Sequence, residues 1–552
     1  MPVFTSRIDT SSEAFHQNRA DMLALVERMR SLEARTEAKS MEKAVRFEER
    51  GQLNPRERLR RLLDPGSPFL EIGNLAGYLV DVSSAGSSSR PLSDEVEEQS
   101  IPGAAQLIGM GFVNGTRCMI VVNDSGINAG AMSPHGGQKI LRAQELALAN
   151  KMPYVMLVES AGANLLEYRV EFFIVGGTFF ANMARLSAAG VPVITVLHGS
   201  STAGGAYMPG MSDVVIGVEG QGKAFLAGPP LLKAATGEIA TDEELGGVTM
   251  HSTVSGLVEH VAADDGEGIR IAREVVERMR WGRRWIDPRP RTFAEPKYDP
   301  DELAGVVPVD YRQPYDVREV VARVVDGSDF LDFQPTYGPS TVCLEAEVHG
   351  FPVGILGNNG PIDPEGAAKA THFIQRCSQT GTPLVFLQNT TGYMVGTDSE
   401  RKGMIKHGSK MIQAVTTAPV PRITLMIGAS FGAGNYGMCG RGYDPRFIYT
   451  WPNARTAVMG AHQAATTMRI VAEQRAERQG QTLDDDFVNA FVDQVVGIYE
   501  PQENAFVTSG RSLDDGMIDP RDTRNVLGFL LATVDEGDRA KVNPITFGVA
   551  RP

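Results

Sequence analysis

Cysteine is scarce: Cys118, Cys343, Cys377 and Cys439 are the only four in 552 residues. Their spacing offers neither a C-x-x-C zinc site nor a disulfide framework, so a reducing compartment, the cytoplasm, is expected and no metal is. Basic charge is also in deficit. Lys+Arg number 53 against 67 Asp+Glu, a net charge of −14, which argues against nucleic acid as the main partner. No apolar run approaches the ~18 residues that span a bilayer, and Met1-Pro2-Val3-Phe4-Thr5 lacks the basic start and apolar core of a leader, so no membrane association is expected. Missing too are G-x-x-x-x-G-K-[ST], H-E-x-x-H and G-x-S-x-G, which removes the usual phosphate-loop, zinc-protease and serine-hydrolase readings. His198, His251, His372, His407 and His462 are scattered and read as structural or surface residues; His198 alone lies near a glycine-rich turn.

What remains is an ordinary globular composition, 42% hydrophobic and 22% charged, with length enough for two to four domains. The chain is organised around a stretch that occurs twice. Val191–Tyr207 (VPVITVLHGSSTAGGAY) matches Val420–Tyr436 (VPRITLMIGASFGAGNY) at a constant offset of 229, and Pro153–Gly162 (PYVMLVESAG) matches Pro383–Gly392 (PLVFLQNTTG) at 230. Each copy reads as a buried strand running into glycines. One glycine-rich loop is most often only a tight turn; two copies imply two related domains, each with its own anion-stabilising loop.

Between Gln106 and about Arg280 strands and helices alternate: strands at Cys118–Val122, Pro153–Glu159 and Val191–Leu197, helices at Gly137–Asn150, Phe179–Ala189 and Ile269–Met279. The proline-rich stretch Trp281–Asp301 is the linker, and the pattern restarts with strands at Cys343–Val348 and Val353–Leu356 and a helix at Gly366–Thr380. The expectation is an α/β chain of two tandem domains, 1–285 and 300–552. The first opens with an amphipathic helix from Phe15 to about Arg35 and a short one from Asn54-Pro55 to Asp64-Pro65-Gly66; an acidic helix falls at Asp484–Val495 in the second. The arginines between Arg46 and Arg61 read more readily as a solvated face than as phosphate ligands. Val82–Ser100 reads as a mobile loop.

An enzyme acting on a thioester must accommodate the charge of an enolate, and paired backbone N–H groups supply roughly 3 kcal/mol per donor. Gly204-Gly205 suits that task, and Ala433-Gly434 would polarise a second carbonyl. Two carbonyl-bearing reactants are implied.

At this point the residues resemble the carboxyltransferase (β) subunits of biotin-dependent acyl-CoA carboxylases, near the methylcrotonyl-CoA and geranyl-CoA enzymes. The resemblance runs from RERL (56–59) and LDPGSPF (63–69) onward, most specifically through FLAGPPLLKAATGE (225–238), YDVREVVARVVDG (315–327), QNTTGYMVG (388–396), GAGNYGMCGR (432–441) and DDGMIDPRDT (514–523). It implies two crotonase-like domains per chain, a homohexamer, and an active site shared between one subunit's first domain and its mate's second. It further implies that the Gly204 and Gly205 amides hold the thioester oxygen and those of Ala433 and Gly434 the biotin ureido oxygen. Ala161, Gly162, Ala203, Gly392, Gly432 and Asn435 are expected to line the coenzyme A and biotin sites, with Val175, Gly176, Tyr207 and Tyr436 in the substrate pocket. Biotin itself is taken as the base.

No Ala-Met-Lys-Met biotinylation site and no ATP signature occur in the chain, so carboxybiotin is expected from a biotin carboxylase/carrier (α) subunit, in an α6β6 holoenzyme. Three alternatives stay open: the carboxyltransferase of a sodium-linked decarboxylase, a crotonase-type hydratase or hydrolase, and a non-catalytic acyl-CoA scaffold. One departure bears on the substrate. Methylcrotonyl enzymes carry a charged stretch ending in His-Phe-Gly where this chain has Glu167–Gly177, about two residues shorter and with Val175 in place of the phenylalanine, and an aromatic loop where it has Asp124–Ala131. Lost ring volume leaves room for methylenes worth about 0.8 kcal/mol each when buried, so an acyl chain longer than methylcrotonyl is expected.

Overall fold

The apolar run Met119-Ile120-Val121-Val122 is buried on both faces, as a strand inside a covered sheet must be. The computed structural model describes residues 4–79, 97, 100–162, 170–282, 291–480 and 483–546. In it this run lies in a mixed sheet of β1 (Leu70–Glu71), β2 (Gln106–Val113), β3 (Thr116–Asn123), β4 (Tyr154–Ser160), β5 (Val193–Thr202), β6 (Val214–Val218), β7 (Lys223–Phe225) and β8 (His260–Ala262). Their order is β1-β2-β3-β4-β5-β6-β8, with β7 on the tail of β5. β1 to β3 pair antiparallel and the rest parallel.

A second sheet repeats the plan with β9 (Phe330–Asp332), β10 (Thr341–Val348), β11 (Phe351–Asn358), β12 (Leu384–Thr390), β13 (Arg422–Phe431), β14 (Phe447–Thr450) and β15 (Arg455–Ala457). Its order is β14-β13-β12-β11-β10-β9, with β15 on the tail of β13. Even the irregularities recur. The β4–β5 register slips between Val158 and Ser160, the β12–β13 register between Gln388 and Thr390. The repeat read from the sequence is a repeat of topology, and the fold is α/β with two tandem copies of one layer.

The sheets belong to separate compact units. One comprises Ser31–Gly77, Ile101–Pro288 and Thr533–Pro552, and the other Met1–Arg30, Tyr78–Ser100 and Arg289–Ala532. Within the first, Val155, Leu157, Ile194, Val196 and Ile216 pack against Ile269, Ala272 and Val276 of helix Asp265–Met279 and against Leu59 and Leu62. Within the second, Leu384 and Phe386 pack against Phe373 and Ile374 of helix Pro364–Thr380 and Met411 and Val415 of helix Met404–Thr417.

Several elements differ from expectation in extent. The first helix runs from Glu13 to Met41 and buries the anticipated Met22, Val26, Met29 and Leu32. Helix Pro55–Leu62 is capped by Asn54, whose side chain accepts from Glu57 N at 2.9 Å, and it stops before Asp64. Helix Val170–Ala188 begins well before the expected Phe179, running through Gly176 and Gly177 even though each costs about 1 kcal/mol in a helix interior. The acidic helix extends over Asp485–Glu503. Val82–Ser100 lies outside the described residues apart from Glu97 and Ser100, as does 283–290 of the linker.

Candidate active site

Both central strands outrun their apolar cores, β5 to Thr202 and β13 to Phe431, because β7 and β15 add ladder partners at Ser200–Thr202 and Ala429–Phe431. Each then takes one left-handed step, at Ala203 (φ 55°) and Gly432 (φ 54°). For an alanine that step costs about 1–2 kcal/mol. A helical turn follows at once, Ala203–Ala206 in one unit and Gly432–Gly437 in the other, so Gly204-Gly205 and Ala433-Gly434 supply opening N–H groups of a turn. Ser201 braces the first by donating from Oγ to Gly205 O at 2.8 Å.

The neighbouring strands end in matching turns. Gly162 N donates to Ser160 Oγ at 3.1 Å, and Gly162 O accepts from Met132 N at 2.8 Å. Gly392 N likewise donates to Thr390 Oγ1 at 3.2 Å, and Gly392 O accepts from Ile362 N at 3.0 Å. A Cβ on Gly162 would lie 3.2 Å from Thr202 O, and one on Gly392 3.6 Å from Phe431 O. Ala161 donates from its backbone N to Ala129 O at 3.1 Å. Thus Ala161, Gly162, Ala203, Gly204 and Gly205 converge in one unit, and Gly392, Gly432, Ala433 and Gly434 in the other.

Pocket candidates divide. Tyr207 and Tyr436 are half-exposed, Tyr207 edge-on to Phe180 with ring centroids 5.7 Å apart and Tyr436 tilted against Tyr443 at 5.5 Å. Val175 and Gly176 sit on the exposed first half of helix Val170–Ala188. Asn435 directs Nδ2 back to Ser430 Oγ at 2.7 Å, and Ser430 Oγ donates to Gln388 Oε1. Phe180, which no sequence signal marks, also belongs here: its Cζ would be 3.8 Å from a Cβ on Gly204.

Beneath the first loop lies a buried charge cluster that spacing does not reveal. Arg58 is 1% exposed and donates from Nε to Asp265 Oδ2 at 3.0 Å and from Nη1 to Glu159 Oε2 at 2.6 Å. It is neither solvated nor open to a phosphate, unlike Arg60 and Arg61, which pair with Glu57 at the surface. His198 Nδ1 lies 2.6 Å from Asp265 Oδ1. Burial and the Arg58 charge lower the His198 pKa, keeping the ring neutral. Burial pushes Asp265 up, but the hydrogen bond from His198 and the charge of Arg58 outweigh it, and its pKa falls below the usual carboxylate value.

Among the described residues no group of three or more His, Cys, Asp or Glu is placed to hold a metal ion, and no helix is long and apolar enough to cross a membrane.

Two α/β layers, each ending in a glycine turn beside a second glycine turn, make a tandem crotonase-like carboxyltransferase fold. The carboxyl transferase domain family matches residues 46–545. The chain is 47% identical over 534 residues to the probable biotin-dependent acyl-coenzyme A carboxylase beta2 subunit of Mycobacterium tuberculosis, covering 96% of this chain and 97% of that one. It is 46% identical to that organism's biotin-dependent 3-methylcrotonyl-coenzyme A carboxylase beta1 subunit, covering 91% and 92%. The crystal structure of the beta subunit of Pseudomonas aeruginosa geranyl-CoA carboxylase superposes with a TM-score of 0.91 at 48% identity, over the whole of both chains. The chain belongs to the carboxyl transferase domain family, as the carboxyltransferase component of a biotin-dependent acyl-CoA carboxylase of the methylcrotonyl/geranyl type.

Proposed function

We propose that this chain transfers the carboxyl group of carboxybiotin, presented by a partner α subunit, to a branched enoyl-CoA with an acyl chain longer than methylcrotonyl. The observation that carries the reading is the duplicated turn. Gly204-Gly205 would hold the thioester oxygen and Ala433-Gly434 the ureido oxygen, in domains 1–285 and 300–552. The backbone cradle at Gly392 and Gly434 suits a planar urea, since a Cβ on Gly434 would lie 2.9 Å from Gly392 Cα and close it. Bound carboxybiotin would supply the carboxyl group; the chain's own share is to orient both carbonyls and stabilise the charge that develops on them.

The longer acyl chain is supported by the helix leading to the first turn. Phe173, Gly176, Gly177 and Phe180 fall at i, i+3, i+4 and i+7, one face of a helix. Phe180 stands beside Gly204, while Cβ atoms on Gly176 or Gly177 would meet nothing within 4 Å. An acyl chain anchored at Gly204 and running along this face passes two glycines over the about 10 Å between Phe180 and the next ring, Phe173, at 1.5 Å of rise per residue. The geranyl-CoA relative, matched over its full length, supports the same reading.

A homohexamer within an α6β6 holoenzyme is supported by Val170, Phe173, Ile174 and Val175, all more than half exposed on that helix. Apolar surface of that kind calls for cover, here a second copy. Four free, buried cysteines suit the cytoplasm.

The test is a carboxylation assay of the chain with its biotinylated partner across a panel of acyl-CoA thioesters. Specificity constants for geranyl-CoA and C8–C12 thioesters should exceed those for methylcrotonyl-CoA and propionyl-CoA. The reverse order would refute the substrate, and no transfer to any thioester would refute the function.

A further inference from the structure

At matching positions of the repeat the two units carry different chemistry. Where the second has Asn389, Ile427 and Gly428, the first has Glu159, His198 and Gly199. Asn389 is held by neutral groups: its Oδ1 accepts from Ala429 N of β13 at 3.1 Å, and Gly428 leaves room for it, since a Cβ there would strike that oxygen. The amide thereby ties the end of β12 directly to the end of β13.

Glu159 is held differently. It lies over Gly199, where a Cβ would come within 2.5 Å of its Cγ, and its carbonyl sits against Gly130 of the adjacent loop. Its carboxylate accepts from Ser125 Oγ at 2.8 Å and from Arg58 Nη1 at 2.6 Å. Arg58 is fixed in turn by Asp265, which also accepts from Leu53 N at 2.8 Å and pairs with His198 of β5. One partly buried carboxylate on the strand leading to Ala161-Gly162 thus reaches the strand leading to Gly204-Gly205 and the loop 125–130, and an ion cluster anchors it.

We propose that Glu159, held by Arg58 and the Asp265–His198 pair, is a positioning residue that sets the geometry of the first glycine turn, and hence turnover of the acyl-CoA, without contributing to acyl-CoA affinity. This rests on the assignment of that turn to the thioester. Arg58, Asp265 and His198 are buried and bonded to one another, so their effect on the turn is mechanical. A misplacement of about 1 Å at such a turn costs about 10²-fold in rate.

The test uses the full chain assembled with its biotinylated partner. Glu159→Gln keeps the shape and an acceptor oxygen, and should lower kcat about 10–100-fold while the acyl-CoA KM stays within about twofold. Ser125→Ala, which removes one tether from a partly buried contact, should lower kcat about threefold with an unchanged melting temperature. The double variant should be no worse than Glu159→Gln, because both act through one contact. A Glu159→Gln kcat within about twofold of wild type overturns the proposal, as does a KM rising as kcat falls, or a double variant whose losses multiply as for independent structural damage. Gly205→Val separates the two levels. If it is inactive while Glu159→Gln is normal, only the positioning role falls; if it turns over as wild type, the thioester assignment falls and takes the positioning role with it.

Discussion

The two glycine turns share topology and the left-handed step, yet they differ in the space around them. In the first unit a Cβ on Gly205 would meet only the ends of side chains, Ser201 Oγ at 3.2 Å and Met208 Cε at 3.6 Å. In the second a Cβ on Gly434 would lie 2.8 Å from Thr390 Cγ2 and 2.9 Å from Gly392 Cα, with backbone that cannot step aside. The first turn is roomy and stands over buried charges; the second is closed and stands over amides and hydroxyls. A duplicated fold has therefore kept the backbone device and changed its setting. A variable acyl chain suits the open setting and an invariant ring the tight one.

The largest expected effect breaks the comparison at the tight end. Gly434→Val should lower turnover by more than the 10²–10³-fold of one lost donor, and should lower the melting temperature as well, because the Thr390–Gly392 turn must shift. Gly205→Val should lose about 10²–10³-fold in kcat/KM and keep its melting temperature. Steady-state kinetics with thermal unfolding check both, and equal thermal losses would erase the proposed difference in space.

A smaller effect sharpens the reading of the open end. Gly176→Phe places a ring in the gap between Phe173 and Phe180 without meeting any neighbour within 4 Å of its Cβ. Preference for long over short thioesters should fall about tenfold, the cost of about 1–2 buried methylenes at 0.8 kcal/mol each. An unchanged ratio of specificity constants would remove the acyl chain from this face.

The smallest effect is a pH dependence in the second unit. Asp514 is fully buried beside Asp515, accepting from Ser509 Oγ at 2.7 Å and Gly516 N at 3.0 Å, and burial pushes its pKa up to about 7. A pKa raised on folding means that the native state binds more protons than the unfolded one between the ordinary carboxylate range and 7. Its contribution to stability is thus full below about pH 4 and lost as the pH rises through 7. Asp514→Asn should gain a few degrees in melting temperature relative to wild type at pH 8 and little at pH 4. His198, with its pKa lowered, acts in the opposite sense, its contribution being full above pH 6.5 and lost on acidification. A difference between wild type and Asp514→Asn that does not change with pH would show that the carboxyl is not titrating.

Sequence reading went furthest where local chemistry dictates structure. Paired strands ending in glycines announce themselves, because the backbone at Gly162 (φ 87°) and Gly392 (φ 124°) favours glycine, and at Gly162 a Cβ would also crowd Thr202 O. The reading failed where partners are distant in the chain. Arg58 and Asp265 are 207 residues apart, so a buried ion pair looked like part of a surface run. No local signal marks Phe180, and helix Val170–Ala188 reaches further back than the Phe179 start that the sequence predicts, because Gly176-Gly177 serves as open surface rather than as a terminus.

The central claim, that the two turns serve different reactants, is tested most directly by measuring equilibrium binding of acyl-CoA to the Gly205→Val and Gly434→Val chains by calorimetry. Gly205→Val should lose acyl-CoA affinity, while Gly434→Val binds acyl-CoA as wild type does and fails only in transfer from carboxybiotin. Equal acyl-CoA affinities in the two variants, or a loss confined to Gly434→Val, would contradict the account.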